Sequence, residues 1–123
     1  MSRDLADIYE LPKGWWFWPE AEESDLLYAE LQRELPPGHL IYRVPVLTFA
    51  TARGVDDVLF RHRDKFDRFT VIHLTWAGKT EINSLHPAVE FDGSFLEFLE
   101  EEKRKVKFFK EIAQKNRSKK SAN

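Results

Sequence analysis

Leu27, Leu31 and Leu35 recur at every fourth position, and Leu26 and Tyr28 widen the stripe. That spacing predicts an amphipathic helix of about four turns. Pro19 suits its first turn, Glu20, Glu22 and Glu23 suit the positive end of its dipole, and Pro36-Pro37-Gly38 ends it. The apolar period then drops to two. Val44 to Ala52 is rich in β-branched and apolar residues, Gly54 permits a tight turn, and Asp57 to Arg61 resumes the extended pattern. In Phe69 to Trp76, Thr70, Ile72, Leu74 and Trp76 point one way, the expected core side. Val71, His73 and Thr75 point the other way, onto an expected solvated face. Val89 to Phe91 reads as a short edge strand.

Ser94-Phe95-Leu96-Glu97 is a capping box that starts a second helix, with Phe95, Phe98 and Leu99 on its buried face. Residues 100–105 carry no apolar side chain, and a second apolar group follows at Val106, Phe109, Ile112 and Ala113. A continuous helix from Ser94 to Ala113 would be about 30 Å long, about the width of the domain, so its end should protrude. The resulting expectation is an α+β fold. An antiparallel sheet of three to four strands is packed by an N-terminal and a C-terminal helix on one face, in two layers. Residues 1–14 read as an N-terminal arm, 15–102 as the domain, and 103–123 as a basic helical extension with a disordered tail from Ser118.

Composition narrows the function classes. A chain of 123 residues with 42% apolar side chains can bury a core without staples. The absence of cysteine excludes disulfides, thiolate metal sites and cysteine nucleophiles. The N-terminal residues show no signal-peptide pattern, and no apolar run approaches the length of a membrane span, so the expected location is cytoplasmic. Charge is the strongest signal. Residues 1–102 carry 10 Lys/Arg against 20 Asp/Glu, whereas residues 103–123 carry 9 Lys/Arg against one Glu.

Candidate chemistry is sparse. His39, His62, His73 and His86 form no H-x-x-x-H or H-E-x-x-H pair, and the five glycines are scattered singly. No metal site and no cofactor are therefore expected. Asp57, Arg61 and His73 would form an acid, a cation and a titratable base on one sheet face if the register aligns them. The segment Arg61 to Arg68 is highly charged and suits either a phosphate grip or a loop paired within itself. Trp15, Trp16, Phe17 and Trp18 cannot all face inward, which makes Trp15, Trp16 and Trp18 candidate contact residues. Lys105, Lys107 and Phe109 give the extension a basic, partly apolar character suited to a protein, a nucleic acid or an acidic surface.

The run Asp56-Asp57-Val58-Leu59-Phe60, followed by Phe69-Thr70-Val71-Ile72-His73-Leu74-Thr75-Trp76-Ala77-Gly78-Lys79-Thr80-Glu81, resembles a family of small uncharacterised bacterial proteins. Those proteins share a D-D-V-L-F segment and a V-V-H-L-T-W-x-G-x-x-E segment. Glu34-Leu35-Pro36-Pro37-Gly38-His39 and Phe91 to Phe98 extend the resemblance, and the basic extension departs from it. It implies a bacterial single-domain protein and no catalytic residues. The expected function is a non-enzymatic protein-binding domain, such as an immunity or antitoxin-like inhibitor whose acidic body meets a basic toxin or nuclease. The alternatives are a small enzyme using Asp57, Arg61 and His73, and nucleic-acid binding through residues 103–123.

Overall fold

The computed structural model describes residues 9–18, 25–52 and 56–121. Pro19, Glu20, Glu22, Glu23, Gly54 and the last two residues of the expected tail lie outside them, as does most of the N-terminal arm.

The fold is α+β: the described residues form five antiparallel strands in sequence order and two helices. Strand β1 is Trp15–Phe17, β2 is Val46–Ala52, β3 is Asp57–His62, β4 is Phe69–His73 and β5 is Ala88–Gly93. Helix α1 (Leu26–Glu34) connects β1 to β2, and α2 (Phe95–Ser121) follows β5. The sheet has one strand more than the expected upper limit, because Trp15–Phe17 pairs with Ala50 to Ala52. A three-residue strand made entirely of aromatics shows no usable period.

The helices lie on opposite faces, which corrects the expected two-layer arrangement. Along β3, Val58 and Phe60 join α1's Leu27 and Leu31 in one core, which also takes Ile72 and Leu74. Leu59 joins Phe69, Val71 and α2's Phe98 in the other. Alternation along β3 and β4 delivers successive side chains to opposite layers. Both faces of the central strands are therefore buried, and the face expected to be wet is largely a second core. Its aromatics meet edge to face: Tyr9 on Phe49, Phe49 on Phe69, and Trp15 on Phe98.

Local chemistry sets the helix starts. The Asp25 carboxylate accepts from the Tyr28 N–H at 3.0 Å and caps α1. At α2 the capping box forms in both directions: Glu97 N–H donates to Ser94 Oγ, and Ser94 N–H donates to Glu97 Oε1. Strand β4 ends at His73, and Trp76 has a left-handed backbone (φ 57°) outside the ladder. Trp76 is 41% exposed, so it is not a core residue, whereas Ile72 and Leu74 are fully buried as expected.

Candidate functional site

Asp57 opens β3 and His73 closes β4, and the antiparallel register sets them directly opposite each other. His73 Nδ1 donates to Asp57 Oδ1 at 2.7 Å. This hydrogen bond, reinforced by the charges of Asp57, Asp56 and Glu90, holds the imidazole above its usual pKa. Glu90 arrives by a β-bulge. Val71 pairs with Phe91 while Ile72 pairs with Val89, leaving Glu90 as the extra residue between them. One ligand atom from each of Asp57, His73 and Glu90 falls within 4.8 Å of the others.

This cluster occupies an open end of the α2 face, with the His73 and Asp57 side chains 49% and 43% exposed. Arg61 shares the face but lies four residues farther along β3, roughly 13 Å away at strand spacing. It pairs with Phe69 and places its guanidinium over the Tyr9 ring, 5.7 Å from the centroid. The structure thus brings Asp57 and His73 together and leaves Arg61 out. Thr75 also leaves the face: its hydroxyl donates to Glu81 Oε1 at 2.6 Å.

The second candidate surface is the protruding half of α2. Phe95, Leu99, Glu102, Val106, Phe109 and Ala113 follow an unbroken 4-3-4-3-4 spacing, a heptad seam on one side of the helix. The sheet covers the first part of that seam. Glu102 marks the limit of cover, accepting from Trp15 Nε1 at 2.7 Å. Beyond it, Val106, Phe108, Phe109 and Ile112 are 40–66% exposed. Lys103, Lys105 and Lys110 flank the seam, and Lys105 also pairs with Glu102 at 3.3 Å. Lys103, Val106, Lys107 and Lys110, with Glu102 and Glu111 among them, line one side of a groove of about 590 Å³, with Pro12 and Lys13 on the other. Of the aromatic cluster, Trp15 and Phe17 pack into the α2 core, Trp18 packs into the α1 core, and Trp16 is 55% exposed.

Two polar networks have no sequence signal. Glu30 and Glu34 sit side by side on α1, both fully buried. Glu34 accepts the Thr75 and Trp76 N–H groups at 2.9 and 2.8 Å, and Glu30 accepts the Gly78 N–H at 3.1 Å. Burial, and then the neighbouring Glu30, push Glu34 up to about 7. Hydrogen bonding with Glu34 leads the causes that hold Glu30 below the usual carboxylate range, with Gly78 and Arg33 adding to it. Of the two, Glu34 is therefore the more readily protonated.

On the same sheet face, His62 Nε2 donates to Thr70 Oγ1, Thr70 donates to Asp92, and Asp92 pairs with Arg68. Thr70 has one hydroxyl proton and gives it to Asp92, so the His62 proton must lie on Nε2. Burial lowers the His62 pKa, which keeps the ring neutral. Charges of the Arg61 to Arg68 segment thus pair across the sheet at Arg68 rather than only within the loop.

A scan of protein-family models and searches of curated proteins and of solved structures find no match to this chain. Among the described residues, no helix is long and apolar enough to cross a membrane.

Proposed function

We propose that the protein is a binding module whose contact element is the protruding half of α2, and that its partner presents an acidic amphipathic helix. The supporting observation is continuity: the seam that packs Phe95 and Leu99 against the sheet goes on as Val106 and Phe109, which are 54% and 66% exposed. An apolar seam bordered by lysines favours an apolar partner helix bordered by carboxylates. Pairing two copies of this seam would set Lys103, Lys105 and Lys110 against the same lysines, which opposes self-association through it. One setting for such a module is inhibition of a bacterial toxin, in an immunity or antitoxin role. What supports that setting is the small size and the acidic body, while the seam itself asks for an acidic contact.

Nucleic acid is the competing ligand for a basic helix, and salt separates the two. A labelled helical peptide with leucines at the seam positions and glutamates beside them should bind with modest salt dependence. The V106E/F109E pair should weaken it about tenfold or more, as loss of central apolar anchors does. If a DNA or RNA duplex binds instead, with steep salt dependence unaffected by V106E/F109E, the protein-binding reading falls.

A further inference from the structure

The cluster at the open end of β3, β4 and β5 has a use that the α2 seam does not require. We propose that Asp57, His73 and Glu90 form a binding site for a divalent first-row transition metal ion of the zinc type.

Three adjacent strands supply the three ligands, two from paired ladder positions and the third from the β5 bulge. Asp57 and His73 are direct cross-strand partners, and the β5 bulge adds the one residue needed to bring Glu90 to them. Without the bulge, alternation would assign Glu90 to the neighbouring register position. The ligand atoms already lie within 4.8 Å of one another. Bonds of about 2.0–2.2 Å to a tetrahedral ion would set the ligand atoms roughly 3.5 Å apart, so the ion would replace the 2.7 Å hydrogen bond between His73 and Asp57, a small rotation for exposed side chains. The donor set also discriminates. An imidazole with two carboxylates suits zinc, cobalt or nickel, whereas calcium and magnesium prefer oxygen donors alone. Three protein ligands leave further coordination positions open to solvent or to a ligand group. The spacing of His39, His62, His73 and His86 carries no hint of this site, because its ligands are neighbours across strands and not along a helix.

The test uses the full-length protein freed of metal by chelator and dialysis. Zinc is titrated against a chromophoric chelator, and cobalt is followed by its visible absorption. One ion per chain is expected, with millimolar magnesium or calcium failing to displace it. H73Q and E90Q should each lower zinc affinity about tenfold or more, since even outer-shell changes cost that much. H86Q serves as the control and should leave binding unchanged. All three side chains are exposed or half-exposed, so the variants should keep the wild-type melting temperature. Zinc binding unaffected by the H73Q/E90Q double variant, or absent from the wild-type protein, would overturn the proposal.

Discussion

Glu34 is the residue on which the loop after β4 depends. Its carboxyl group takes the N–H groups of Thr75 and Trp76, and its own carbonyl takes the Glu81 N–H at 3.0 Å. Glu34→Ala would strand two N–H donors against a buried gap. A loss of about 2–4 kcal/mol is expected in urea unfolding. The titration of Glu34 carries a sign. A folded pKa of about 7 against 4.5 means that the unfolded chain releases the proton first as pH rises. The stabilising contribution of the protonated carboxyl is therefore complete below pH 4.5, is lost progressively up to pH 7, and changes little above it. Because other groups of the molecule titrate as well, the relevant curve is the difference between wild type and Glu34→Gln. That difference should fall across the interval; a flat one would show that Glu34 is ionised when folded. The sequence exposes little of this arrangement. Glu34 and the segment His73-Leu74-Thr75-Trp76 lie far apart in the chain and meet here. The chain alone does not reveal the contact, since two glutamates four apart on a helix normally face water.

At the scale of elements, legibility followed periodicity. β3 and β4 read correctly because their alternation runs over five or six residues, and α2 read correctly because its capping box is local chemistry. β1 escapes the reading because three aromatics carry no period, and Trp76 does so because the strand ends at His73 and leaves it beyond the ladder with a left-handed backbone. The layer count failed for a different reason. Val71 and Leu59 are as buried as Ile72 and Val58, and an antiparallel strand buried on both faces shows no polar side to read. Phe98 tests the second layer. It is fully buried among Trp15, Phe91 and Phe95, so Phe98→Ala should cost about 3–5 kcal/mol. Substitutions at Val106 or Phe109, one helical segment farther on, should leave stability within about 0.5 kcal/mol of wild type. Urea midpoints for the three variants would separate the covered from the uncovered seam.

For the whole molecule, charge and layering divide the chain at the same place. The acidic residues 1–102 contain the sheet, both cores and the Asp57, His73 and Glu90 cluster, and the basic residues begin where α2 leaves the sheet. Charge asymmetry was readable from composition, and so was the protrusion, from helix length. The seam's continuity was not, because residues 100–105 interrupt the apolar pattern and Glu102 occupies a seam position. That exposed seam is the proposed contact element. Its most direct test is site-specific photocrosslinking from position 109 in the native cell, with position 26 on α1 as control. The prediction is a discrete protein adduct at position 109 only, mapped to an acidic helix of the partner and lost in a V106E background. Adducts to nucleic acid, or equal adducts from both positions, would contradict it.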